Sequence, residues 1–183
     1  KVYSGHNSSY GEVWWFYPSK SSTTNDRYVI YNYQEKIWYF GTLERTAWVD
    51  RGINQYPIAA STDNKLYYHE FGQDDGSTNP PSAISANVES SQMDIGDGDK
   101  FTLVRRVLPD ITFRDSTNET PRVNMVVKTR NFPGVTFNET SSNQVAQSVS
   151  TPVELFTEQL HVRLRGRSFA FRVESDVTGV MWR

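Results

Sequence analysis

No cysteine occurs anywhere in the 183 residues, which excludes disulfides, thiolate metal sites and cysteine nucleophiles. Histidine is scarce. His6, His69 and His161 stand far apart, and none shows the short spacing of a metal-ligand pair. No apolar run approaches the ~20 residues of a membrane-spanning helix. An excess of one charge is lacking too: the formal net charge is -2. Up to Ser91 there are seven basic and ten acidic residues, and from Gln92 twelve and eleven. Neither portion is basic enough to predict a high-affinity nucleic-acid surface, although a weakly interacting channel wall needs none. The opening KVYSGHNSSYGEVWWF has no signal-peptide pattern. Lys1 begins in mid-pattern and Val180-Met181-Trp182-Arg183 ends without a polar tail, so a fragment or the ordered part of a longer chain is expected.

Catalytic fingerprints are missing as well. There is no G-x-S-x-G, H-E-x-x-H, P-loop or dinucleotide-binding motif. Glu12, Glu35, Glu44, Glu70, Glu89 and Glu174 allow many carboxylate pairs, but sequence alone brings no two to the separation of a glycosidase. His69 and Glu70 are neighbours on an expected strand and so point to opposite faces. The expectation is a protein that is not an enzyme and carries no cofactor.

What is present is aromatic and extended. Aromatic residues make up 14% of the chain, and no helical apolar period of convincing length occurs. EVWWFY (12–17), RYVIYNY (27–33) and IWYFG (37–41) are dense in strand-favouring residues and are separated by polar loops. This is the spacing of a meander. Further strands are expected at 45–49, 56–61 and 66–70, the last two joined by a turn at Asp63-Asn64. The period of strand, turn and tryptophan resembles that of a propeller blade, whose faces need neighbours to cover them. Trp14, Trp15, Trp38, Tyr39 and Trp48 could form a sugar-stacking platform, but packing or subunit contact accounts for so much ring area more simply. Trp14 and Trp15 must face opposite ways, and Trp38 is expected to be a packing residue.

The stretch FGQDDGSTNPPSAIS (71–85) combines glycine, acids and two consecutive prolines. It is the best domain boundary, giving a blade region over 1–75 and a second domain over 76–183. In the second, strands are expected at 86–93, 100–108, 111–113, 123–129, 155–165 and 168–174. The polar stretch 135–150 reads as a protruding loop or a hairpin tip. Phe101, Leu103, Arg105 and Val107 should share one face, with Thr102, Val104, Arg106 and Leu108 on the other. Five or six antiparallel strands in this length fit a β-sandwich. The fold class expected is therefore all-β, with propeller-like antiparallel blades followed by a sandwich-like domain.

Two clusters invite chemistry. Asp94, Asp97 and Asp99 in DIGDGD could wrap a calcium ion, but the twelve-residue helix-loop-helix pattern is absent, and glycines also suit a left-handed turn. No metal is expected there. Arg105, Arg106, Arg163, Arg165, Arg167 and Arg172 form the positive material. Pairing with another subunit or domain is favoured over nucleic acid, because a phosphate-binding face gathers more charge.

Taken together, GEVWWFYPSKSSTTNDRYVIYNYQEKIWYFGTLERTAWVDRG, PIAASTDNKLYYHEFGQDDGS, VESSQMDIGDGDKFTLVRRVLPDITF and VRLRGRSFAFRVESDVTGVMWR resemble tail proteins of short-tailed bacteriophages. The likeness is to the tail hub or nozzle family that includes the packaged-DNA stabilisation protein. It runs from about Tyr10 to Arg183, weakest over Thr136 to Ser150. The resemblance implies a virion protein in a sixfold ring of copies of itself, below the portal and adaptor and above distal tail proteins. The ring would surround the DNA ejection channel, touch DNA transiently and without sequence preference, and help retain the packaged genome. No catalytic motif carries across. The residues expected to matter are architectural: Trp14, Trp15, Tyr28, Tyr31, Trp38, Tyr39, Trp48 and Tyr67 in the first region, and Phe101, Val104, Arg105, Arg106, Arg163, Arg165, Arg167 and Trp182 in the second. Competing expectations are a carbohydrate-binding or receptor-recognition module and, further off, a glycan-cleaving enzyme.

Overall fold

The computed structural model describes residues 1–132 and 146–183, and among them there are strands and turns but no helix. Among the described residues all strand pairs are antiparallel, and no sheet closes into a barrel or a propeller ring. The chain divides into two compact units, Lys1–Gly72 and Gln73–Arg183.

The first unit opens with a four-stranded meander of β1 (Tyr3–Asn7), β2 (Glu12–Tyr17), β3 (Arg27–Asn32) and β4 (Ile37–Thr42), in that order across the sheet. Its turns have local causes. Asn32 Oδ1 accepts from the backbone N–H groups of Gln34 and Glu35, at 3.0 and 2.9 Å, and so shapes the β3–β4 connection. Asp26 accepts from both the N–H and the hydroxyl of Ser19, which closes the loop before β3 and holds the Asp26 carboxyl below its usual range. A three-stranded sheet follows: β5 (Ala47–Val49), β6 (Ile58–Ala60) and β7 (Leu66–Tyr68).

Period-two alternation sends Trp14 and Phe16 of β2 to one face, where they are 7% and 0% exposed, while Trp15 faces the other way. Ile30 completes this core, and Tyr3, Tyr28, Leu43 and Trp48 pack against it. Trp48, from the small sheet, stacks on Trp14 with ring centroids 4.9 Å apart and donates its indole N–H to the carbonyl of His6 at 2.9 Å. Gly5 makes room for it: a Cβ there would lie 2.5 Å from Trp48 Cδ1. The strand β1 lies upstream of the region expected to be structured.

The second unit contains β8 (Ala86–Glu89), β9 (Met93–Asp94), β10 (Thr102–Val107), β11 (Arg122–Arg130), β12 (Ala146–Glu154), β13 (Leu160–Gly166) and β14 (Ser168–Ser175). One sheet runs β12-β11-β14-β8, with β9 also on β14, and β10 pairs with β13 in a second. Inward residues alternate along β11 (Val123, Met125, Val127, Thr129) and β13 (Leu160, Val162, Leu164). They meet in two apolar clusters. Val127, Val162, Leu164 and Phe169 form one, and Phe113, Val123, Met125, Val153 and Leu160 the other. Burying aliphatic and aromatic side chains of this size contributes about 1.5–3 kcal/mol each before entropy is counted.

Several expectations are corrected here. The expected strand 86–93 is two strands, because Ser90 leaves the ladder and binds Phe171 instead, through its own N–H at 2.8 Å and by accepting at its hydroxyl at 3.0 Å. Residues 111–113 form no strand, although Thr112 exchanges two backbone bonds with Arg183. Of the polar stretch 135–150, residues 135–145 lie outside those described, and 146–150 belong to β12, where Val149 and Val153 face inward. The expected strand 155–165 begins only at Leu160. A turn precedes it, in which Glu154 N–H donates to Thr157 Oγ1 and Thr157 N–H donates to the Glu154 carbonyl. The single in–out phase expected along 100–108 breaks. The register with β13 shifts between Val104 and Arg106, so that Val104 and Val107 both pack inward.

Candidate functional site

The strand β4 is the edge of the first sheet and carries Ile37, Trp38, Tyr39 and Phe40 in succession. Alternation puts them on both faces, and neither face is covered. Trp38 is 61% exposed and Phe40 84%, so Trp38 is not the buried packing residue the sequence predicts. Its ring lies on Tyr31 at 4.6 Å and near Trp15 at 6.0 Å, forming an aromatic ladder along one face of β2, β3 and β4. On the opposite face Tyr28 stacks on the buried Trp14 at 5.2 Å. Tyr67 lies under the Arg45 guanidinium at 4.7 Å and donates its hydroxyl to Asp63. Arg45 Nε in turn donates to His69 Nε2 at 2.9 Å. Burial, helped by the Arg45 charge, pushes the His69 pKa down to about 4, so this imidazole is neutral and serves as an acceptor near neutral pH.

Beside this array the structure brings together two carboxylates that lie 58 positions apart in sequence. Glu12, at the start of β2, stands opposite Asn7, the last residue of β1. Glu70 follows β7 at a φ of 58°. The side chain of Asn7, wholly buried, holds both: its Nδ2 donates to Glu12 Oε2 at 3.4 Å and to Glu70 Oε1 at 3.3 Å. Trp14 Nε1 donates to the same Glu12 oxygen at 3.0 Å. The two acids open into a depression of about 350 Å³ walled by Tyr10, Trp14, Tyr28 and Tyr39. Glu70 as a residue is exposed, yet its carboxyl is raised above its ordinary range, by desolvation first and by the Glu12 charge second. Sequence reasoning named both glutamates and could not pair them. Asn7 carried no signal at all, because its role exists only once β1 is in place.

In the second unit, Arg105, Arg106, Arg163 and Arg165 are exposed, together with His161, on β10 and β13. Arg163, Arg165 and His161 alternate with the inward Val162 and Leu164, so they share the outer face of β13. Arg165 lies 4.9 Å from the centre of the Phe101 ring, and Arg106 bonds Gln159. None of the four arginines is in an ion pair among the described residues. Arg167 is set apart: it turns to the Gly98 carbonyl at 3.0 Å. Arg172 is also elsewhere, paired with Glu174 and Glu89. Trp182 packs on the Phe113 cluster as part of the core.

The DIGDGD segment is a turn with Gly96 and Gly98 at φ of 77° and 71°. Asp94 accepts from the Ser168 hydroxyl and so ties the turn to β14. Among the described residues no three acidic or histidine side chains gather as metal ligands, so Asp94, Asp97 and Asp99 do not converge. No described helix is long and apolar enough to cross a membrane. No family model matches the chain, and no curated protein matches it.

Proposed function

We propose that this protein is a structural component of a bacteriophage tail hub or nozzle, part of a ring around the DNA ejection channel. The reading starts from the resemblance of four long segments to that family. Within it, the two small sheets of the first unit are propeller-like blades that neighbours complete, and the second unit is a sandwich-like domain. The observation that carries the assembly reading is β4, an edge strand with four successive large apolar residues uncovered. A free edge with this composition is costly to leave in water and ready to pair or pack.

A closed ring repeats one such contact around an axis and leaves a passage through its centre. Arg105, Arg106, Arg163 and Arg165, which make no ion pair among the described residues, supply a moderate positive face for an acidic neighbour or for passing DNA. They are too few to trap a polyanion, since each phosphate neutralised adds to a salt-sensitive affinity. Copies of the chain, a portal or adaptor above and distal tail proteins below are the partners this reading requires. Mass spectrometry of purified virions and of detached tails tests it. The chain should appear in the tail fraction in about six copies per particle, and its absence from the virion refutes the proposal.

A further inference from the structure

The depression at Glu12 and Glu70 is acidic, aromatic and uncompensated. Among the described residues no lysine or arginine nitrogen comes within ion-pair distance of either carboxylate. One oxygen of each, Glu12 Oε1 and Glu70 Oε2, makes no hydrogen bond among the described residues. The other two are drawn to a single amide nitrogen, so the pair is closer than those two hydrogen bonds laid end to end. Two ionised carboxylates at such a distance repel. The fold nonetheless holds them together with a buried side chain, Asn7, whose Nδ2 makes no other hydrogen bond among the described residues.

The walls matter as much as the acids. Trp14, Tyr28 and Tyr39 border the concavity, and aromatic faces carry negative quadrupole charge. Rings and carboxylates therefore favour the same kind of guest: one that is positive, donates hydrogen bonds and has an apolar stem. A neutral sugar could stack on the rings and donate hydroxyls, but it would leave both charges unbalanced. Among the described residues a bare metal ion would find two carboxylate ligands and no third acidic or histidine ligand.

We propose that this depression binds an organic cation, an alkylammonium or guanidinium group, with the charged head between Glu12 and Glu70 and the stem against the rings. An ammonium head brings three donors and a guanidinium five, enough for the unfilled carboxylate oxygens. The Tyr39 ring, 41% exposed, adds cation–π attraction. The source is either a lysine or arginine side chain of another polypeptide or a free amine. This inference stands without the tail assignment.

The site contains its own reporter. The Trp14 indole N–H is bonded to Glu12, so its ¹H–¹⁵N resonance senses a cation arriving at that carboxylate. The probes are n-butylammonium, a lysine-containing tetrapeptide with blocked termini, and methyl glucoside as the neutral control. The cations should move the Trp14 indole signal in a saturable way, and the glucoside should not. Glu70→Gln, which keeps an oxygen for Asn7, should weaken cation binding about five- to tenfold while the other amide resonances stay in place. Tighter binding of the peptide than of butylammonium identifies a polypeptide source, and equal binding a free amine. Absence of a saturable shift, retention of full affinity in Glu70→Gln, or an equal response to methyl glucoside overturns the proposal.

Discussion

In the second unit, nine-residue strands alternate apolar and polar residues, and two clusters of valine, leucine, methionine and phenylalanine close between the sheets. In the first, strands of three to six residues carry more rings than their sheets can cover, and only Trp14, Phe16 and Ile30 form the buried cluster. One unit completes its own core. The other keeps Ile37, Trp38, Tyr39 and Phe40 at an open edge. The difference separates two uses of apolar residues: alternation that satisfies a fold, and excess that the fold leaves exposed.

The largest expected effect tests whether both cores are real. Phe16→Ala and Phe169→Ala each remove a ring that is wholly buried, and each should cost about 3–5 kcal/mol in denaturant unfolding. Equal costs in the two units would show that the smaller aromatic core is packed as tightly as the aliphatic one. A loss near zero for Phe16→Ala would break the comparison.

A middle-sized effect comes from acid. The His69 pKa falls from 6.5 unfolded to about 4 folded, so the unfolded chain binds the extra proton first. The stability this imidazole contributes is complete above about pH 6.5 and is lost as pH falls toward 4. Glu70, raised by burial, works in the opposite sense just above the ordinary carboxylate range and offsets part of the loss. His69→Gln still offers Arg45 an acceptor but does not titrate. It should remove about 1–3 kcal/mol of the acid sensitivity between pH 6.5 and 4, read from melts across that range.

The smallest effect sharpens the contrast most. Trp38→Ala should cost the isolated chain about 1 kcal/mol or less, since the ring is mostly exposed and loses only its stacking on Tyr31 and Trp15. A cost like that of Phe16→Ala would place Trp38 in a core and remove the reason to expect a neighbour at β4.

These contrasts also show where the sequence was readable. Alternation marked β11 and β13, because each has one buried face and a side-chain period of two. It placed β2, β3 and β4 as well, but could not say which rings were covered, since Trp14, Trp15, Trp38 and Phe40 are equally apolar and burial depends on which sheet face has a neighbour. The strand β1 was invisible: YSGHN has no apolar alternation, and its place depends on Trp48 lying over Gly5 and on the Asn7 contacts. The shift in β10 was equally hidden, for Arg105 and Arg106 fit either phase until β13 fixes the register. The carboxylate pair needed the turn after β7 to bring Glu70 back to Glu12.

On the proposed function, the open aromatic edge of the first unit is a contact surface in an assembly. An electron cryo-microscopy map of the intact tail, with side chains resolved, tests it most directly. In every copy Trp38 and Phe40 should be buried against an adjoining chain. A tail in which β4 faces solvent all around the ring would contradict it.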